Sequence, residues 1–127
     1  MAQQDLSGMK VAILVADDFE QVEMTEPRKA LDDAGAQTTL ISSVQGEVHG
    51  VNHDEKAEAF KVDMPLSRAR ADSFDAVLLP GGALNADALR MEPKAREFVR
   101  RIDETGKPIA VICHGPWVLA SASEWTR

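Results

Sequence analysis

Short apolar runs, each closed by a glycine-rich or acidic turn, constrain the fold of this chain more than any other feature. They occupy residues 10–16 (KVAILVA), 74–80 (FDAVLLP) and 108–112 (PIAVI). A strand with one wet face would interleave polar residues, so a run nearly without them predicts a strand covered on both faces, as in a parallel sheet. Helical signals lie between the runs. In residues 25–35, Thr25 reads as an N-cap, Pro27 falls in the first turn, Ala30, Leu31 and Ala34 form an apolar stripe, and Gly35 is the stop. Residues 37–43 alternate as a second strand. Residues 85–91 read as a short helical piece. Residues 94–105 place Ala95, Phe98, Val99 and Ile102 at the i, i+3, i+4, i+7 spacing of an amphipathic helix, stopped by Gly106. Alternation of strand and helix along the chain predicts an α/β fold: a flavodoxin-like, doubly wound parallel sheet with helices on both faces.

Residues 44–72 carry the weakest signal. They are polar and interrupted by Gly46, Gly50 and Pro65, and the reading stops at short strands around Val48 and over 60–62, with a helical turn in 66–71. The chain has 127 residues, enough for one domain and one core. Its formal net charge of −7 argues against a nucleic-acid or anionic-membrane surface, since no phosphate backbone would be neutralised. Residues 1–8 are a polar leader without the basic and apolar regions of a signal peptide, and no window reaches the length of a membrane span, so a cytoplasmic location is expected. A single cysteine excludes an internal disulfide and a Cys-rich zinc site. His49 and His53 are four apart, but Gly50 lies between them with no helical pattern, so no metal site is expected.

That cysteine, Cys113, ends the last apolar run and is followed by His114-Gly115-Pro116. A nucleophile at a strand-to-helix corner is pushed out of the sheet, with the N–H groups of the following turn aimed at it, where they stabilise a thiolate and later an oxyanion. In a doubly wound sheet, ligands bind beyond the carboxyl ends of the strands where strand order reverses. Three segments are expected to converge there: residues 17–20 after the first strand, Gly81-Gly82 after the third, and Cys113-His114 after the fourth. They would supply a carboxylate, a backbone cradle and a thiol.

At these residues the sequence resembles the ThiJ/PfpI family, part of the class I glutamine amidotransferase-like superfamily that contains protein deglycases and intracellular proteases. The matching pieces are KVAIL at 10–14, Phe19-Glu20 with Glu23 shortly after, LLPGG at 78–82, and GKP at 106–108 running into ICHGP at 112–116. The resemblance implies a cysteine nucleophile elbow with Cys113 as nucleophile and Glu20 as the carboxylate against its sulfur. The backbone N–H groups of Gly82 and His114 become the oxyanion hole. Asp87 falls at the place of an acidic residue that, in peptidase-like members, pairs with the neighbouring subunit's histidine. Glu23 and Asp18 read as solvated or helix-entry residues.

The resemblance covers 9–119, and 120–127 diverge from it. Family members continue through a further strand, a hairpin and a closing strand and helix, so the domain is expected to be C-terminally truncated. The implied function is that of a cysteine-dependent stress-response enzyme attacking electrophilic carbonyls. Its substrates would be small 2-oxoaldehydes or their adducts (glyoxalase or deglycase) or peptides (peptidase), with no cofactor and as a homo-oligomer. A glutamine amidotransferase is disfavoured, because no histidine follows His114. The alternatives are a non-enzymatic redox-sensing or chaperone-like stress protein, with Cys113 oxidised to a sulfinate beside Glu20, or an inactive fragment.

Overall fold

The computed structural model describes residues 5–53 and 55–112. The first apolar run forms β1 (Lys10–Leu14), followed by a two-residue strand β2 (Phe19–Glu20) that turns directly into α1 (Gln21–Asp33). Next come β3 (Gln37–Ser42), a hairpin of β4 (Glu47–Asn52) and β5 (Glu55–Lys61), and the short β6 (Met64–Pro65). Two single 3-10 turns, Leu66–Arg68 and Ala71–Ser73, lead to β7 (Ala76–Leu79). Helices α2 (Ala83–Arg90) and α3 (Pro93–Glu104) then return the chain to β8 (Ile109–Val111).

The main sheet has the order β6-β3-β1-β7-β8, and every pairing in it is parallel. From β1 the chain moves outward to β3 and β6, then crosses to β7 on the other side of β1 and on to β8. Strand order therefore reverses between β1 and β7. This is the flavodoxin-like α/β arrangement expected from the alternation of runs and helices.

Period-2 geometry sorts the continuous runs onto two faces. Val11, Ile13 and Val15 point with Leu40 and Leu78 into a layer closed by Met24 of α1. Ala12, Leu14 and Ala16 point with Ile41, Val77 and Leu79 into the opposite layer, closed by Ala95, Phe98, Val99 and Ile102 of α3. The stripe read from the sequence is thus the buried face of α3. Each large aliphatic side chain buried this way contributes about 1.5–3 kcal/mol. Register between β1 and β7 is pinned by a reciprocal pair: the Lys10 N–H donates to Asp75 Oδ2 at 2.8 Å, and the Asp75 N–H donates to the Lys10 carbonyl at 2.7 Å.

One expectation is corrected and another extended. Helix α1 begins at Gln21, with Glu20 in extended conformation as its N-cap residue, so Thr25 is helical and not a cap. Pro27 accordingly lies inside the helix, where it lacks the N–H that would reach the Glu23 carbonyl. The weakly patterned stretch 44–72 holds the strands expected around Val48 and near 60–62 and a turn at Leu66–Arg68. The two strands are longer than read and join as an antiparallel hairpin, which with β2 makes a second sheet of order β2-β4-β5.

Candidate functional site at the strand-order reversal

Beyond the carboxyl end of β1 the chain is held by backbone bonds to β3 and then to β4. The Val15 N–H donates to the Ile41 carbonyl at 3.0 Å and the Asp18 N–H to the His49 carbonyl at 2.8 Å. Asp18 adopts a left-handed conformation (φ 66°), tolerated by aspartate, which turns the chain back into β2. There Phe19 and Glu20 pair in parallel with Gly50 and Val51 of β4.

From the other side of the reversal, β7 delivers Pro80, Gly81 and Gly82. The Glu20 N–H donates to the Gly81 carbonyl at 3.0 Å, so the first and third loops meet as expected. Gly82 has φ +105°, and a Cβ built there would stand 2.8 Å from the Asp18 carbonyl oxygen and 2.9 Å from the Glu20 nitrogen. Only glycine permits this approach. The fourth strand runs alongside: the Ile112 N–H donates to the Leu79 carbonyl at 3.1 Å. Cys113 and His114 lie outside the described residues.

The carboxylates of this corner differ in their surroundings. Glu20 is half-buried, and its Oε2 accepts the backbone N–H of His53, at the tip of the β4–β5 hairpin, at 3.0 Å. Glu23, on the first turn of α1, is also half-buried, and its Oε1 is shielded from solvent with no hydrogen-bond partner among the described residues. Its place on the first turn of α1 is the helix-entry position read from the sequence, but its enclosure is not that of a solvated residue, since a buried carboxylate oxygen normally has a donor. Asp87 is on the exposed side of α2 and pairs with Arg90 at 3.2 Å. Asp17 receives the His49 backbone N–H at 2.9 Å, and the His49 ring nitrogen Nδ1 lies 3.4 Å from the same oxygen. Among the described residues no group of three His, Cys, Asp or Glu could hold a metal ion, and no helix is long and apolar enough to cross a membrane.

Sequence reasoning missed Asn85. It is fully buried on α2, and its side chain bonds to Ala16 beyond β1 and to Pro80 and Gly81 beyond β7. The available signal was a helix-disfavouring asparagine three residues after a double glycine.

Residues 9–126 match the model of the DJ-1/PfpI family. The chain belongs to the DJ-1/PfpI family. It is 41% identical over 110 residues to "Putative cysteine protease YraA" of Bacillus subtilis, an alignment covering 87% of this chain and 63% of that protein. It is 37% identical over 114 residues to "Deglycase PfpI" of Pyrococcus furiosus, covering 90% of this chain and 66% of that protein. The chain therefore spans just under two thirds of the length of these relatives. Among solved structures, a two-domain protein of Anabaena variabilis with DJ-1/ThiJ/PfpI-like and ferritin-like domains superimposes with a TM-score of 0.80 at 33% identity, over 89% of this chain and 33% of that one. The DJ-1/PfpI fold thus accounts for the strand order and for the meeting of the two loops at its reversal.

Proposed function

We propose that this DJ-1/PfpI chain is a cysteine-dependent enzyme that attacks electrophilic carbonyls, with Cys113 as its nucleophile. The observation that carries this reading is the contact between Glu20 and the Gly81-Gly82 turn at the strand-order reversal, alongside the strand that leads into Cys113. The Cys113 thiolate attacks the carbonyl carbon of a 2-oxoaldehyde. A carbon–sulfur bond forms, and the carbonyl π pair moves to oxygen, where the Gly82 and His114 N–H groups receive it. The oxyanion takes a proton from a carboxyl group to give a hemithioacetal. The resulting carboxylate removes the C–H proton of that carbon and returns it to the neighbouring carbon, while the hydroxyl proton passes to the second oxygen, leaving a 2-hydroxy thioester. Water hydrolyses this to the 2-hydroxy acid and frees the thiol. Glu20 is the proposed carboxylate against the sulfur, and Glu23, whose shielded oxygen has no partner among the described residues, is a second carboxylate proposed for the corner.

The deglycase name of PfpI supports small 2-oxoaldehydes or their adducts as substrates. The protease name of YraA supports a peptidase reading, in which His114 would pair with Asp87 of a second copy. A homo-oligomer in the cytoplasm is part of the same proposal, and gel filtration tests the former.

The test combines turnover with titration of the single thiol. Wild type is expected to convert methylglyoxal to lactate, and Cys113→Ser to abolish this. The thiolate absorbance of Cys113 is expected to titrate below the free-thiol value of about 8.5 and to move in Glu20→Gln or Glu23→Gln, whichever carboxyl faces the sulfur. A free-thiol value unmoved by both substitutions, with no turnover of methylglyoxal or a fluorogenic peptide, would sink the enzymatic reading. Stoichiometric oxidation of Cys113 without turnover would favour the redox-sensor reading.

A further inference from the structure

Asn85 is wholly buried on α2, although Leu84 and Asp87 beside it face solvent. A buried carboxamide needs an N–H for its oxygen and acceptors for its amino hydrogens. Asn85 finds them on two loops that are far apart in sequence. Its Oδ1 accepts the Ala16 N–H at 2.6 Å, and its Nδ2 donates to the carbonyls of Pro80 at 3.0 Å and Gly81 at 3.3 Å. The Gly81 carbonyl also receives the Glu20 N–H at 3.0 Å.

Two donors therefore fix the direction of one carbonyl. All peptide bonds among the described residues are trans, and in a trans peptide the C=O and the following N–H point in opposite directions. Holding the Gly81 carbonyl toward Asn85 and Glu20 aims the Gly82 N–H toward the opposite edge of the peptide. That N–H donates to none of the described residues, and Gly82 is half-buried.

We propose that Asn85 is a positioning residue: it orients the Gly81–Gly82 peptide so that the Gly82 N–H stands ready for a developing oxyanion. The proposal rests on the reading above, in which that N–H stabilises the tetrahedral intermediate. An amide is required because the position needs an acceptor and a donor together. An ionised aspartate would keep the bond from Ala16 but could not donate, and would face two carbonyl oxygens. A leucine would strand all three backbone partners.

The experiment uses the full chain. In wild type, nuclear magnetic resonance is expected to show scalar couplings across the hydrogen bonds from Asn85 Nδ2 to the Pro80 and Gly81 carbonyl carbons, with the Gly82 amide exchanging as an unbonded group. Their absence overturns the proposal without any variant. In Asn85→Asp, folded by circular dichroism, the Gly82 amide resonance is expected to shift. The kcat for methylglyoxal should then fall about tenfold or more while KM stays within about threefold, since only transition-state binding is lost. A folded Asn85→Asp protein with wild-type kcat also overturns it. Should that variant fail to fold, the wild-type couplings decide. If wild type does not turn over methylglyoxal, the oxyanion reading falls, and the couplings still decide whether Asn85 holds the peptide.

Discussion

A methyl group is enough to test the corner where the two loops meet. At Gly82 the added carbon of an alanine would lie 2.8 Å from the Asp18 carbonyl oxygen and 3.1 Å from the Phe19 Cα, and both are backbone atoms that no rotamer change can move aside. The φ of +105° adds conformational strain for any L side chain. Gly82→Ala is therefore expected to lose about 1–3 kcal/mol of stability or more, read from urea unfolding, and to loosen the Glu20 loop. A melting profile matching wild type would contradict this packing. Gly82 and Glu20 were legible in the sequence, because a double glycine and an acidic turn after apolar strands have few other uses. Asn85 was not, because its partners are the exits of two strands, one of them 69 residues away, and no local pattern records a bond of that range. Glu23 was legible as a helix-entry residue, but the enclosure of its oxygen was not, because tertiary structure supplies it.

At the scale of elements, apolar periodicity made β1, β3, β7 and α3 readable, since each owes its form to burial, whereas β8, read as covered on both faces, is a half-exposed edge strand with Ala110 facing solvent. Strands were legible around Val48 and over 60–62, but the length of β5 and its pairing were not, because β5 is exposed along almost its whole length, with Phe60 its one half-buried residue. Pairing with β4, and the Phe19–Phe60 ring contact at 5.8 Å, hold it in place, and neither writes a two-residue alternation into EKAEAFK. The start of α1 was misplaced because Thr25 and Pro27 are strong helix-start residues by type, yet pairing of Phe19 and Glu20 with β4 sets the boundary at Gln21. Gln21 joins hairpin to helix. Its Nε2 donates to Glu58 Oε1 at 2.8 Å, and its Oε1 accepts the Glu58 N–H at 2.8 Å. These bonds are exposed, so Gln21→Ala is expected to change global stability by less than about 1 kcal/mol. Local opening is the sharper readout: amide exchange at Glu58 should quicken while that of β1 stays unchanged. Equal protection of Glu58 in both proteins would show that strand pairing alone fixes the hairpin.

For the whole molecule, the acid side of the stability profile offers a check on how the 3-10 turns are fastened to α3. Arg101 bonds to Asp72 Oδ1 at 3.0 Å, and this hydrogen bond, with the attraction of the guanidinium, holds the Asp72 carboxyl below its ordinary value of 3.8. A carboxyl lowered in the folded state stabilises the fold above its unfolded pKa, and that contribution is lost as pH falls through the folded value. Both groups are solvent-exposed, so the effect is small. Asp72→Asn should be slightly less stable than wild type at pH 7 by urea unfolding, with the difference closing well below pH 3.8. A gap that persists there would mean that Asp72 acts through something other than its charge.

The strand-order reversal also governs when the corner can form. Lys10 meets Asp75 across 65 residues, and Ala16 meets Asn85 across 69. Closing loops of that size costs entropy that nearer pairings avoid, so such contacts are slow to form. The β4–β5 hairpin and the pairing of β1 with β3 need far shorter closures and can precede them. A partly folded chain would thus hold much of its secondary structure while the peptide at Gly81–Gly82 still pointed at random, and the corner at the strand-order reversal would take its shape only in the last steps of folding.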